Sequence, residues 1–209
     1  YYLANRVDPA LRGPPASYVR LRVEGAGGQE RTFSIKRAAY TGPMSPALGN
    51  LPPHPLVFRT RALGNGIHYI RFNLFIPAIT PELRKHILHA DHTGLVLDLR
   101  GNPGGLGLMA GGLMGMLSQK QLVLGAMKLR EGEIRVVAYP QPGAYTGPVA
   151  VLVDARTAST AEIFALGMQE TGRGHVFGDV TAGAAMPSFI QKLPSGDNLQ
   201  YAIADYHSL

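Results

Sequence analysis

Cysteine is absent from the 209 residues. Its absence excludes disulfides, thiolate metal sites and a cysteine nucleophile, while leaving the compartment open. Charge is sparse: 16% of residues are charged against 45% hydrophobic, the balance of a globular chain and not of a disordered one. No run of Lys and Arg is interleaved with aromatics. Fifteen of the twenty cationic residues are Arg, scattered through Arg20, Arg22, Arg59, Arg61, Arg71, Arg84 and Arg130. The net charge of +6 therefore reads as solubility, not as a nucleic-acid footprint. No apolar run is long enough for a bilayer span; GLGLMAGGLMGML (105–117) is short and Gly-rich, and fits a helix packed close to its neighbours. No secretory leader is read in these residues, and the first residue is not Met, so the chain reads as a mature or trimmed fragment. Internal repeats and low-complexity tracts are also lacking.

Metal and phosphate signatures are missing as well, and no cofactor is expected. His86, His89 and His92 in HILHADH are spaced by three, with no carboxylate-supported pair at i, i+4, and read as a solvated helix end with favourably placed cations. GNPGGLG has no Lys-Ser/Thr at the phosphate-loop spacing.

What is present is a chain of two textures. YVRLRVE (18–24) and RTFSIKR (31–37) alternate apolar and charged residues around the turn GAGGQ, predicting a hairpin with one buried face. LRGPP before it looks like a helix end. A lone hairpin is marginal in water, so it belongs to something larger. Residues 41–56 are rich in Pro and Gly and read as a linker between a unit over 1–40 and a core over 57–209. In that core, strands at 67–75, 94–100, 121–130, 134–140, 148–154, 175–179, 189–194 and 199–206 alternate with helices at 81–91, 105–117 and after Ser159, an α/β layered pattern completed as one sheet. GLVLDLR and PVAVLVD are nearly unbroken apolar runs, the sign of strands buried on both faces.

Two turns, LDLRGNPGG (97–105) and VDARTASTAE (153–162), run from such strands into helix starts. Ligands gather outside the carboxyl ends of strands in open α/β sheets, and helix starts offer unpaired N–H groups to a developing oxyanion. Gly104 and Gly105 would let a carbonyl approach closely. Ser159-Thr160-Ala161-Glu162 is also a capping box, and pattern alone favours the cap over the nucleophile.

LVLDLRGNPGG, VAVLVDARTASTAEIFALGMQETGRGHVFGD and LPSGDNLQYAIADY, in that order, resemble the carboxyl-terminal processing (tail-specific) serine peptidases over about 66–209. The resemblance implies a ClpP/crotonase-like core of stacked β-sheet and helices, usually preceded by a PDZ domain that binds protein C-termini; LRGPPASYVRLRVEGAGGQERTFSIKR looks like the end of such a domain. It implies Ser159 as nucleophile and an oxyanion hole from the Thr160 N–H with Gly104 or Gly105. It also implies supporting places for Glu162 and for Glu170, which lies about 16 Å further along the same helix face and supports the helix end or pairs with an Arg such as Arg173. A polypeptide substrate and an extracytoplasmic bacterial setting are what the family implies; a homo-oligomer stands as a further expectation.

The departure lies at the base. The family's Lys falls on Ala184 in TAGAAMPS, and its orienting Gln on Ser188. Tricorn-type relatives use a His at the position of Arg71, which is permanently charged. His68 points to the opposite strand face, and Lys192 reads as a solvated charge. A Ser without a base is a poor nucleophile. The expectation is a serine endopeptidase whose base comes from elsewhere; the alternative is a silent member that binds peptides or apolar ligands, as in the similar repeats of a retinoid-binding protein.

Overall fold

The computed structural model describes residues 11–47, 50 and 53–208, and its chain divides into two compact units at Gly42/Pro43. The amino-terminal unit holds the expected hairpin: β1 (Tyr18–Glu24) and β2 (Glu30–Lys36) pair antiparallel with Val19 opposite Ile35. Arg37 ties its base, donating to the carbonyls of Leu11 (2.9 Å) and Tyr18 (2.9 Å) and to the Ser17 hydroxyl (3.0 Å). The helix expected to end at LRGPP falls largely outside the described residues. The expected buried face is not seen: Phe33 and Ile35 are 47% and 49% exposed, and a two-stranded hairpin supplies no second layer of its own.

The second unit carries the core. Its start, read from sequence as a linker, closes on itself through Met44 opposite Pro55 and through Ser45, which exchanges hydrogen bonds with His54. A strand missed by the pattern follows, β3 (Phe58–Ala62). Then come β4 (Ile67–Phe72), a 3-10 turn at Pro77–Ile79, α1 (Thr80–Ile87), β5 (Gly94–Asp98) and α2 (Leu108–Gly115). β6 (Leu122–Leu129), β7 (Gly132–Ala138), β8 (Val149–Val153), α3 (Thr160–Glu170) and β9 (His175–Gly178) continue the chain. The last segments are β10 (Ser188–Lys192), β11 (Asn198–Ala202) and β12 (Asp205–His207).

The strands do not form the single sheet expected. A five-stranded sheet runs β3-β4-β5-β8-β9, parallel except for β3; β12-β6-β7 make a second, antiparallel sheet; β10 and β11 pair only with each other. Helices α2 and α3 pack on each other, α2 also on β7 and α3 on β6 and β9. Close approach of α2 depends on small residues: a Cβ on Gly115 would fall 2.1 Å from the Tyr139 carbonyl. Ile70, Phe72, Leu95, Leu97, Val149, Val151, Phe164, Met114 and Leu113 form the core, so the apolar helix at 105–117 is largely core, although Leu108 is 91% exposed.

β5 and β8 are not buried on both faces. Leu95 and Leu97 alternate with half-exposed Val96, and Val149, Val151 and Val153 alternate with half-exposed Ala150 and Leu152. The buried set shares one face with the helical core, and the other set points away from it, so apolar character on both faces did not translate into cover on both.

Candidate active site

β5 and β8 are parallel neighbours, so the corners that follow them emerge side by side. Four hydrogen bonds join them. The Ala158 N–H donates to the Asn102 carbonyl (2.9 Å), and the Gly101 N–H to Asp154 (2.9 Å). The Thr157 hydroxyl donates to the Leu99 carbonyl (2.9 Å), and the Thr160 hydroxyl to the Gly105 carbonyl (2.9 Å). Contact is closest at Gly104, with φ of +101°: a Cβ there would lie 2.7 Å from Ser159 Cβ and 2.9 Å from the Thr160 nitrogen. Only glycine combines that backbone with that proximity.

Ser159 stands at the start of α3 with φ 55° and ψ −123°, a conformation costly for a residue with a side chain. The sequence posed cap against nucleophile, and the capping box is present at the start of α3. Glu162 reaches back to accept the Ser159 N–H at 2.8 Å, while the Glu162 N–H goes to the Ser159 carbonyl at 2.8 Å. The hydroxyl lies in the capping-box arrangement without closing a side-chain hydrogen bond to the helix. Among the described residues, no Lys, His or carboxylate side chain hydrogen-bonds to that hydroxyl.

The glycine pair divides its amides. The Gly104 N–H donates to Asn102 Oδ1 at 2.8 Å, and the Gly104 carbonyl accepts from Phe75 at 2.7 Å. The Gly105 N–H and the Thr160 N–H have no hydrogen-bond partner among the described residues, and Gly105 is exposed. Glu162, 8% exposed, is the junction of the site. Besides Ser159 it accepts the Thr181 hydroxyl (2.7 Å), the Gly183 N–H (2.7 Å) and the Ala184 N–H (2.9 Å). The main-chain N–H groups of Ala184 and Ser159 thus share one carboxylate oxygen, which ties the 181–184 segment to the start of α3. Ser188 accepts a hydrogen bond from Gln200 at 2.7 Å.

Among the described residues, none of the other candidates hydrogen-bonds to the hydroxyl. Arg71 lies 3.7 Å from Asp98 and donates to the Arg100 carbonyl. Burial pushes the Asp98 carboxyl up, but the Arg100 fork (2.9 and 2.8 Å) and the Tyr69 hydroxyl (2.5 Å) outweigh it and hold the group at about 2. Lys192 is exposed. The Arg173 guanidinium donates to the carbonyls of Leu117, Tyr145 and Gly147. Glu170 is near enough to Tyr206 for its charge to add to the burial that pushes that phenol up to about 12.

The histidines correct the picture of a solvated helix end. His86 and His92 are half-buried and stack on either side of His68, with centroids 5.2 and 4.4 Å away. The buried His68 Nε2 has no hydrogen-bond partner among the described residues; burial first, then the two neighbouring imidazoles, push its pKa down. Stacked rings present faces, not lone pairs, and among the described residues no group of three or more His, Asp or Glu can hold a metal ion. Two concavities of about 450 and 480 Å³ lie at His89–His92 with Gly143–Gly147 and between Val123 and His207; neither includes a residue of the two corners.

Sequence reasoning missed Asn102, Thr157 and Asp154. Each is a short polar residue next to a turn, which reads as ordinary turn chemistry. Only the parallel pairing of β5 with β8 sets them against one another.

Residues 66–208 match Peptidase family S41. A carboxyl-terminal-processing protease of Picosynechococcus sp. is 32% identical over 148 residues, 69% of this chain and 36% of that protein. The carboxyl-terminal-processing peptidase 1, chloroplastic, of Arabidopsis thaliana is 27% identical over 96% of this chain and 40% of its own length. The solved photosystem II D1 C-terminal processing protease shares the fold, with a TM-score of 0.65 and 24% identity, over 94% of this chain and 52% of that one. The chain spans less than half the length of the curated relatives it matches. No helix among the described residues is long and apolar enough to cross a membrane. With a match over more than two thirds of its length and an α/β core superimposable on a processing protease, the chain is a member of Peptidase family S41, the C-terminal processing serine peptidases.

Proposed function

We propose that this chain carries a serine acyl-transfer site that cleaves polypeptides near their C-termini. Ser159 Oγ attacks the scissile carbonyl, and the amides of Gly105 and Thr160 receive the oxyanion. Gly104 supplies clearance where the two corners meet, Glu162 holds the helix start, and Glu170 has a structural place at the far end of α3. The observation that carries the reading is the contact of a strained Ser159 with a glycine corner, beside two amides that have no hydrogen-bond partner among the described residues. Residues 1–40 are read as the end of a PDZ-like domain and 57–209 as the peptidase core; an extracytoplasmic setting follows the family. The base comes from outside the described residues, from further chain or from a second subunit.

One observation favours a second reading, a silent member that binds peptides or apolar ligands: the residue that the resemblance aligns with the base is Ala184, whose side chain cannot take a proton. A fluorophosphonate probe separates the two. Under the first reading it labels the wild type and not Ser159→Ala, and Ala184→Lys labels faster than the wild type. A folded wild type that neither reacts nor cleaves denatured protein leaves the binding reading.

A further inference from the structure

We propose that Asn102 is a positioning residue that decides which amide of the glycine pair faces the reacting carbonyl. The inference rests on the reading of Ser159 and Gly105 as an acyl-transfer centre. Asn102 is fully buried, and all four of its hydrogen-bonding groups are used. Its Oδ1 accepts the Gly104 N–H (2.8 Å), and its Nδ2 donates to the Phe72 carbonyl at the end of β4 (3.1 Å). Its own N–H donates to the Leu99 carbonyl (3.0 Å), and its carbonyl accepts the N–H of Ala158, the residue before Ser159 (2.9 Å).

Two consequences follow. The side chain turns the Gly104 amide inward, which leaves the Gly105 amide as the donor of the pair that can meet an oxyanion. The main chain fixes the peptide leading into Ser159 to the same residue, so donor and hydroxyl share one reference point. The amide group is specific for this task. Reversing it would set N–H against N–H and carbonyl against carbonyl, and a carboxylate would keep the Gly104 bond while losing the one to Phe72. Asn102 touches neither substrate nor reacting atoms, so its effect falls on the chemical step and not on binding.

The test uses the full chain. The limiting rate constant for fluorophosphonate labelling of Ser159 and the probe's half-saturation concentration are measured separately for the wild type, Asn102→Leu and Asn102→Asp, with thermal midpoints alongside. Asn102→Leu, similar in size and without the bonds, is expected to lower the rate constant about a hundredfold while half-saturation stays within about twofold. Asn102→Asp, which retains the acceptor for Gly104, is expected to recover at least about tenfold of that loss. Lower thermal midpoints with an unchanged rate constant in the folded variants would overturn the proposal and leave the acyl-transfer reading intact. A wild type that never labels would end both. If no variant folds, amide NMR of the wild type decides: on forming the phosphonyl adduct, the Gly105 and Thr160 amide resonances shift and that of Gly104 does not. A shift at Gly104 in place of Gly105 refutes the assignment.

Discussion

Replacing Gly104 with alanine tests whether the two corners touch. The added Cβ would lie 2.7 Å from Ser159 Cβ, 2.8 Å from the Ala158 carbonyl oxygen and 2.9 Å from the Thr160 nitrogen, all closer than real Cβ contacts. Two penalties combine. Backbone strain for an L-residue at positive φ costs about 1–2 kcal/mol, and forcing a methyl into a packed site costs about 1–3 kcal/mol. Gly101→Ala is the control. Its φ is +73°, but its Cβ would meet nothing within 4 Å, so it carries the backbone penalty alone, about 1 kcal/mol. Gly104→Ala is therefore expected to destabilise by about 2–5 kcal/mol, and to abolish fluorophosphonate labelling in whatever fraction stays folded. Urea unfolding followed by circular dichroism gives both midpoints, compared at equal slope. If Gly104→Ala matches Gly101→Ala within about 0.5 kcal/mol, the corners are not in contact and the candidate site dissolves with them.

Glu162→Gln removes the charge that accepts four hydrogen bonds and is expected to cost about 2–3 kcal/mol; hydrogen exchange should show the Gly183 and Ala184 amides losing protection, and unchanged exchange would refute the junction. Asp98, held at about 2 against an ordinary 3.8, stabilises the fold fully above about pH 4, and that contribution disappears as pH falls toward 2; Asp98→Asn should lower stability at neutral pH and flatten the curve in that window. His68 has the opposite charge type but the same sense. Its neutral form is favoured in the fold, so stability falls as pH drops below the ordinary 6.5. The groups facing it are His86, which has Glu82 at 3.6 Å, and His92. His68→Phe should remove the acid slope between about pH 7 and 5, as read by thermal melts across that range.

Much of the candidate site's scaffold was legible because it is written in local patterns. The apolar runs of β5 and β8 mark their strands, and S-x-x-E marks the start of α3. Gly104 and Gly105 announce a corner that tolerates close approach. What stayed hidden is what pairing decides. FRTRA carries two arginines in five residues and no apolar alternation strong enough to reveal β3. The division into separate sheets depends on β12 choosing β6, which no local signal specifies. The choice between the Gly104 and Gly105 amides turns on one side chain two residues earlier, whose letter reads as a turn former. His68, His86 and His92 come from a strand, a helix and a loop, so their stacking has no footprint in spacing.

Glu162 has one more implication. Two of the bonds by which it grips the 181–184 segment end on main-chain amides, and the Ala182 N–H adds a third anchor on the Thr157 carbonyl. Peptide N–H groups are common to every residue but proline. The shape of this stretch therefore rests on Thr181, whose hydroxyl bonds Glu162, and on Gly183 at φ +67°, while the side chains at 182 and 184 can be exchanged without loosening their mount. A segment built this way can forfeit a reactive group, or regain one by a single substitution, while its scaffold stands still.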